Sequence, residues 1–252
     1  MKPLYLLINL LLSVLLITAC TTDPDTNPAP SPTSPQKGYA SGKVTDTQGK
    51  PLANADIVVN NAQLYNYNVL GQSDAKGEYS LKLTPGSWYV RGTVTVSFDN
   101  KTYVLDLHPD KEGGFAGSEG AVCNLQWKLT GPKPTEFGGN GYYGGLVEVY
   151  GEGNFVDTQG LELTLEPIGR LIDGSEGQKI VRQLEGQSIG QTQDIPIGRY
   201  RITARYLPTG QILNLRLRNA DQDYASDVTS SFEPAYLGAT GSYKLTLEAR
   251  LP

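Results

Sequence analysis

The stretch SDAKGEYSLKLTPGSWYVRGTV (residues 73–94) decides the fold class, because it contains two alternating runs joined by a turn signal. Tyr79 and Leu81 occupy every second position in the first run, and Trp88 and Val90 do so in the second. Side chains two residues apart in a strand point to the same face of a sheet. The pattern therefore predicts two strands that each bury one face, and the sequence TPG between them predicts the connecting turn.

The same pattern continues along most of the chain. From residue 38 onward, short alternating runs rich in Thr, Val, Tyr, Ile and Leu are separated by Gly, Asp, Asn and Pro, without helical periodicity. The 29 glycines and 16 prolines among 252 residues exceed the usual combined share of about 12 %, as expected where turns are frequent. We therefore predict an all-β protein built from β-sandwiches.

A glycine- and proline-rich segment divides this β-rich region. The sequence LTGPKPTEFGGNGYYGG (residues 129–145) holds little that could pack in a core. It predicts a boundary between a first sandwich domain, residues 38–131, and a second one, residues 137–252. The runs LTPGSWYVRGTV and IPIGRYRITARY both place Pro and Gly before an aromatic residue that opens a strand, so we expect the second domain to be a related sandwich.

Residues 42–59 (GKVTDTQGKPLANADIVV) and 73–94 together resemble the carboxypeptidase regulatory-like family, whose domain is a transthyretin-like, seven-stranded sandwich. The matching positions are Gly42, Val44, Asp46, Gly49, Pro51, Leu52, Ala55, Val58, Asp74, Gly77, Tyr79, Leu81, Pro85, Gly86, Trp88 and Val90. In the turns DTQGKP and DAKGEY, Asp is expected to hydrogen-bond its own turn and Gly to supply a positive φ. The resemblance implies a fold but no activity, because such domains accompany enzymes, transporters and adhesins without catalysing a reaction.

The amino terminus has the anatomy of a secretion signal. Lys2 precedes an apolar run over residues 4–19, which is shorter than the roughly 20 residues that span a bilayer as a helix. The run ends in ITAC (residues 17–20), which resembles a bacterial lipobox. This resemblance implies that residues 1–19 are removed as a signal peptide and that Cys20 carries a diacylglyceryl group and an acylated amine, which anchor the chain in a membrane. An ordinary secretion signal and a short membrane helix are the alternatives.

Residues 20–37 are expected to form the lipidated cysteine and a disordered tether. Five prolines disfavour helix there, and a Pro-rich chain extends by about 3.1 Å per residue. Thr21, rather than Asp, follows the cysteine, which favours the outer membrane if the host is Gram-negative. We therefore place the protein in the cell envelope, outside the cytoplasm.

Composition excludes several partners and chemistries. The formal net charge is −5 and no Lys/Arg cluster is present, so nucleic acid is not an expected partner. With Cys20 lipidated, Cys123 is left without a second cysteine, and its place in the alternating run AVCNLQWKL predicts a buried strand residue. The one histidine, His108, lacks a recognisable nucleophile motif, and no phosphate loop, HExxH or CxxC is present. We predict a non-catalytic protein without a cofactor.

Two acidic stretches are weak candidates for metal binding. Asp106, His108, Asp110 and Glu112 recur at every second position, but they lie where a strand gives way to a glycine-rich loop. Asn219, Asp221, Asp223 and Asp227 are rich in oxygen ligands but lack the central Gly and final Glu of an EF-hand loop. We expect a strand end and a turn, respectively, and no metal site.

The tyrosines are the remaining candidates for a binding function, since the chain has 15 Tyr but only five Phe and two Trp. In QLYNYNVLG, Tyr65 and Tyr67 alternate with Asn66 and Asn68, and Tyr89 takes the outward phase of its strand. Tyrosine rings stack on sugar faces and amides meet hydroxyls, and the sandwich is similar to starch-binding-like folds, so we expect carbohydrate binding. On a strand the tyrosines would oppose the asparagines, whereas in a loop all four could converge. The alternatives are tyrosines that decorate a surface, and a scaffold that pairs an edge strand with another envelope protein.

Overall fold

A computed structural model of the chain describes residues 34–136, 140–153, 155 and 158–252. These residues contain no α-helix and fold mainly into strands, which confirms the prediction of an all-β protein. Across these ranges, no helix has the length and apolar character needed to cross a membrane. The signal peptide, Cys20 and most of the tether lie outside the described residues.

The first set of strands precedes the glycine-rich segment. It consists of β1 (Tyr39–Thr45), β2 (Asp56–Asn61), β3 (Asn68–Gln72), β4 (Glu78–Lys82), β5 (Ser87–Phe98), β6 (Lys101–Pro109), β7 (Phe115–Ala116), β8 (Ala121–Val122) and β9 (Leu125–Trp127). The hydrogen-bonded order is β3-β2-β5-β6-β9-β1-β4, with β7 beside β5 and β8 beside β1. The pairs of β1 with β8 and β9 are parallel, and the others in this set are antiparallel.

The two ends of this ladder pack face to face as a sandwich. A Cβ on Gly92 in β5 would lie 2.6 Å from Leu125 Cδ1 in β9, and one on Gly71 in β3 would lie 2.5 Å from Leu81 Cδ2 in β4. Strands that are not hydrogen-bonded neighbours therefore face each other across a core, as in a two-layer sandwich. The core between them includes Ala40, Val44, Ile57, Val59, Tyr79, Trp88, Val90, Tyr103, Leu105, Cys123, Leu125 and Trp127.

The two predicted turns have the expected geometry. Asp46 Oδ1 accepts hydrogen bonds from the backbone N–H groups of residues 48 and 50, and Gly49 has φ +80°. Asp74 Oδ1 accepts from residues 76 and 78, and Gly77 has φ +75°. The backbone bonds to Asp74 lower the pKa of its carboxyl group.

A second set of strands follows the glycine-rich segment. It consists of β10 (Gly145–Gly151), β11 (Leu161–Pro167), β12 (Ile180–Gln183), β13 (Ile189–Ile195), β14 (Arg199–Tyr206), β15 (Gln211–Leu217), β16 (Val228–Ser231), β17 (Glu233–Pro234) and β18 (Tyr243–Arg250). Its order is β12-β11-β14-β15-β18-β10-β13, with β16 beside β14 and β17 beside β18. This is the order of the first set with every strand moved nine places along the chain. The two sets differ in one short strand. In the first set β8 pairs with β1, whereas its counterpart β17 pairs with β18 and not with β10, the counterpart of β1.

One detail of packing repeats with the topology. Trp88 and Tyr200 are the second residues of β5 and β14, and both are fully buried. Trp88 Nε1 donates to the carbonyl of Thr84 at 3.0 Å, and the Tyr200 hydroxyl donates to the carbonyl of Pro196 at 2.8 Å. In each half, the polar group of a buried aromatic side chain thus donates to the carbonyl of the residue four positions earlier. That carbonyl lies in the turn that contains the shared Pro and Gly.

The first strand set (β1–β9) and the second strand set (β10–β18) form the two halves of the structure. Side chains from the two halves are in contact, and we call this contact the joint. The Tyr103 hydroxyl donates to the carbonyl of Phe232 at 2.8 Å, and Tyr243 Oη accepts from the N–H of Val104 at 2.6 Å. The described residues all belong to one compact unit, Ser31–Pro252. The division into domains 38–131 and 137–252 stays a prediction.

Candidate ligand-binding site

The loop that connects β2 and β3 holds the predicted Tyr/Asn sequence. Asn61 fixes the start of this loop, because its Oδ1 accepts from the backbone N–H groups of Gln63 and Leu64 at 2.9 and 2.8 Å. The N–H of Asn61 donates to the carbonyl of Tyr67 at 3.0 Å, which closes the loop. Asn66 adopts φ +55°, a left-handed conformation that asparagine tolerates better than most residues. The segment 62–67 is therefore a loop and not a strand.

Four of the five predicted binding residues surround one surface concavity. Tyr65, Asn66, Asn68 and Tyr89 line a depression of about 390 Å³, which we call the loop depression. Asn60, Asn61, Ala62, Gln63 and Leu64 complete its lining. The Tyr65 side chain is fully exposed, at 101 % relative accessibility, so no protein contact in the described residues occupies its ring.

Tyr67 has a different role from its neighbours. Its ring lies 5.6 Å from that of Trp88, at an interplanar angle of 42°, and it does not line the loop depression. Because Trp88 belongs to the core, this contact holds the loop against the sandwich. Tyr65 and Tyr67 therefore do not form one paired aromatic platform.

A row of polar side chains crosses the floor of the loop depression. Asn60 in β2 pairs with Asn68 in β3 and with Tyr89 in β5, so the three side chains share one face of the sheet. Asn60 Nδ2 donates to Asn68 Oδ1 at 2.7 Å, while Asn60 Oδ1 is buried without a hydrogen-bond partner in the described structure. Asn60 and Asn61 were missed by the sequence analysis. The signal was available, since the polar pair follows directly on the apolar run Ile57–Val59.

A larger concavity adjoins the loop depression and shares Tyr89 with it. This joint cleft has a volume of about 490 Å³ and is formed by the first half, the glycine-rich segment and the second half. Its lining includes Tyr89, Arg91, Asp106, Glu112, Lys133, Glu136, Tyr142, Tyr143, Gln193, Tyr236 and Tyr243. Of these tyrosines, Tyr142 and Tyr236 keep 41 % and 68 % of their surface exposed, so their rings are open to solvent.

Polar contacts fix the floor of the joint cleft. Lys133 Nζ donates to Asp106 Oδ2 at 2.6 Å and to the carbonyl of Gly241 at 2.5 Å, and it lies 5.8 Å from the centre of the Tyr143 ring. The Tyr143 hydroxyl and His108 Nδ1 are in hydrogen-bond contact at 3.0 Å. Burial lowers the pKa of His108, and it raises the pKa of Tyr143. The contact with His108 thus fixes the position of Tyr143 in the cleft wall.

Three of the acidic candidate residues have structural partners. Asp106 is paired with Lys133, Asp110 accepts two hydrogen bonds from Asn124, and Asp227 lies 3.4 Å from Arg201. Asp221 and Asp223 are exposed in a turn. In the part of the chain that the structure describes, no group of three or more His, Cys, Asp or Glu side chains could hold a metal ion.

The free cysteine is inert by position. Cys123 is buried, as the sequence predicts, but it lies between β8 and β9 and not within a strand. Burial raises the pKa of its thiol to about 12. Since the thiolate is the nucleophile, a thiol with this pKa does not react near neutral pH.

Comparison with known proteins does not assign the chain to a family. No protein-family model matches the chain, and no curated protein sequence matches it. The resemblance of residues 40–96 to the carboxypeptidase regulatory-like family therefore stays a prediction.

Solved structures with all-β architecture are similar to the chain at low identity. The Bacillus anthracis TIE protein is 18 % identical with a TM-score of 0.30, over 85 % of this chain and 34 % of that one. The minor pilin of Streptococcus agalactiae is 8 % identical with a TM-score of 0.25, over 86 % and 97 %. A B repeat unit of the collagen-binding surface protein of Staphylococcus aureus is 10 % identical with a TM-score of 0.24, over 85 % and 98 %. This chain spans about a third of the length of the Bacillus protein, and these likenesses carry no ligand or activity over to it.

Proposed function

We propose that this protein is a non-catalytic, lipid-anchored protein of the cell envelope that binds carbohydrate at the loop depression. One observation carries the proposal: Tyr65, Asn66, Asn68 and Tyr89 line a single concavity. An exposed tyrosine ring offers an apolar face to the C–H side of a sugar ring, and its hydroxyl group stays in water. Amide groups beside the ring can donate to and accept from sugar hydroxyls.

The construction of the loop supports a preformed site. Asn61 fixes the backbone and the Tyr67–Trp88 contact holds the loop on the core, so a ligand does not have to order the loop before it binds. Tyr65 contributes little to packing, since its side chain is fully exposed. Tyrosine is enriched at binding surfaces, where its ring packs against the partner and its hydroxyl group stays in water.

The absence of catalysis is part of the proposal, and the environment of the described ionisable groups supports it. His108 contacts Tyr143, whose pKa is raised by burial, so this pair lacks an activated nucleophile. Cys123 is a buried thiol. The attachment to a membrane rests on the lipobox that ends at Cys20. In a Cys20→Ser variant, intact-mass analysis of the membrane fraction should show that the acyl mass found on the wild-type chain is lost.

Binding assays with a single-ring variant test the carbohydrate proposal. The wild-type chain and a Tyr65→Ala variant are compared on amylose, dextran, mannan and xylan, with Ile212→Ala as a control that removes an exposed apolar side chain in the second half. We expect Tyr65→Ala to weaken binding about tenfold or more, equivalent to roughly 1.4 kcal/mol, because central aromatic anchors dominate such sites. Equal binding by Tyr65→Ala and Ile212→Ala removes the loop depression as the site. A wild-type chain that binds none of the four polysaccharides contradicts carbohydrate binding altogether.

A scaffold function is the second candidate, favoured by the edge of the first sandwich. β3 is the terminal strand of its ladder, and Leu70 within it is 70 % exposed, beside Leu64 at 58 %. An edge strand with an exposed apolar side chain can pair with a strand of another protein. Under this alternative, Leu70→Lys should abolish co-purification of an envelope protein from native membranes, whereas Tyr65→Ala should leave it unchanged.

A further inference from the structure

The joint cleft has the features of a second binding site, in addition to the loop depression. It is the larger of the two concavities, and two exposed tyrosines line it, Tyr142 from the glycine-rich segment and Tyr236 from the second half. Its floor is held by the ion pair of Lys133 with Asp106. A concave surface with exposed tyrosines and a fixed polar floor is the usual form of a ligand site.

Tyr89 connects the two concavities. Tyr89 is among the lining residues of both the loop depression and the joint cleft, and the Arg91 guanidinium lies 5.2 Å from the centre of its ring. A chain-like ligand that occupies the loop depression can therefore continue past Tyr89 into the cleft without leaving the protein surface. Because the cleft has walls from both halves, such a ligand would contact both halves at once.

The charges that line the cleft favour one class of polysaccharide. The charged lining side chains are two cations, Arg91 and Lys133, and three carboxylates, Asp106, Glu112 and Glu136, which sum to −1. The whole chain carries a formal net charge of −5. Lys133 is already paired with Asp106, so it is not available to an anionic ligand. Apart from this ion pair, the charged lining groups are Arg91, Glu112 and Glu136, which sum to −1, so the cleft disfavours a uronic acid or another acidic sugar.

We propose that the joint cleft is a second subsite for the same carbohydrate chain, and that it selects neutral polysaccharides against acidic ones. The proposal rests on carbohydrate binding at the loop depression. The two subsites are joined through Tyr89, so both contribute to binding of a long chain, whereas a short oligosaccharide engages one of them.

Matched variants and matched ligands test this proposal together. The full chain is titrated with amylose, dextran and mannan, and with the carboxymethylated derivative of each, which differs from its parent in charge. The cleft variant is Tyr142→Ala/Tyr236→Ala, the loop variant is Tyr65→Ala, and the control is Leu237→Ala, which removes a fully exposed side chain next to Tyr236 that does not line the cleft. Because all these side chains are exposed, thermal unfolding should show that every variant is folded.

We expect the loop variant to lose about tenfold or more in affinity for the neutral chains and the cleft variant at least fivefold, with no change in Leu237→Ala. Each carboxymethylated derivative should bind at least fivefold more weakly than its parent, and the difference should shrink at 1 M salt, where the screening length falls to about 3 Å. Glu112→Gln/Glu136→Gln should reduce the same difference.

The outcomes separate the two proposals. If Tyr65→Ala weakens binding and the cleft variant does not, the subsite in the cleft is overturned while carbohydrate binding stands. If the carboxymethylated chains bind as well as their parents, selection for neutral chains is overturned. A wild-type protein that binds none of the neutral polysaccharides overturns both proposals.

Discussion

At the scale of single residues, close backbone approach decides where glycine is needed. Gly42 in β1 pairs with Tyr79 in β4, and the Tyr79 hydroxyl donates to the carbonyl of Cys123 at 2.6 Å. A Cβ on Gly42 would lie 2.0 Å from that same carbonyl oxygen. Backbone cannot move aside as a flexible side chain can, so this position excludes any side chain.

Gly42→Ala should therefore destabilise the fold. We expect a loss of about 2–3 kcal/mol in the free energy of unfolding, the upper part of the range for overpacked positions. Gly113→Ala is the matched control, because its nearest contact is 3.8 Å away and its φ is not positive. Urea denaturation measures both variants. Coincident midpoints for the two would contradict the close approach of β1 to Cys123.

The pKa of His108 tests whether its imidazole is buried beside Tyr143. Burial is the main cause that lowers its pKa below the ordinary 6.5, the charge of Lys128 adds to it, and Glu112 and Asp110 act in the opposite direction. The imidazole is therefore harder to protonate in the folded chain than in the unfolded one. Stability that is full above the unfolded pKa of about 6.5 should be lost as the pH falls through the folded pKa.

His108 is the chain's one histidine, so its titration can be followed without assignment of others. Nuclear magnetic resonance of the imidazole protons should give a pKa below 6.5 in the folded chain. A pKa at or above 6.5 would mean that the ring is not buried against Tyr143 as described.

At the scale of elements, the sequence predicts the positions of strands better than it predicts which strands pair with each other. The alternating runs around Tyr79 and Trp88 predict strands and buried faces correctly, since these depend on neighbours in the chain. The echo between TPGSW and IPIGRY predicts the repeated position of Trp88 and Tyr200. The floor of the loop depression could not be predicted, because it requires the register that sets Asn60 beside Asn68 and Tyr89, and register depends on residues far apart in sequence.

The repeated hydrogen bond gives a test at this scale. Tyr200→Phe removes the hydroxyl that donates to the Pro196 carbonyl and leaves the ring in place. We expect a loss of about 1 kcal/mol in the free energy of unfolding, the usual contribution of one buried hydrogen bond. Tyr65→Phe serves as the comparison, since its hydroxyl lies in solvent and its removal should not change stability. Equal stability of the two variants would show that the Tyr200 contact does not hold its turn.

At the scale of the whole molecule, the glycine-rich segment both separates the two strand sets and connects them. Lys133 in this segment is largely buried and bonds to the first half through Asp106 and to the second through the Gly241 carbonyl. Composition alone predicts a boundary here, but it does not show that one lysine in the segment holds the joint. The joint in turn forms the cleft beside Tyr89.

Limited proteolysis tests this arrangement. We expect the first cuts of the wild-type chain in residues 21–37 or 131–145, because these segments are rich in the Pro, Gly and polar residues typical of cleaved linkers. Lys133→Ala should speed cleavage within 131–145 several-fold, since it leaves Asp106 and the Gly241 carbonyl without their donor. Lys179→Ala, which removes an exposed ion pair with Glu166, should not. A single protected fragment over residues 38–252 in both variants would indicate one integrated domain.

Hydrogen–deuterium exchange of the full chain, with and without a bound neutral polysaccharide, tests carbohydrate binding at the loop depression most directly. The amides of residues 62–67 lie in a loop, and a ligand over Tyr65 and Asn66 should slow their exchange. We predict protection of peptides that cover this loop, and weaker or no change in peptides from β12, on the far edge of the second half. Saturating polysaccharide that leaves exchange in residues 62–67 unchanged would contradict the account.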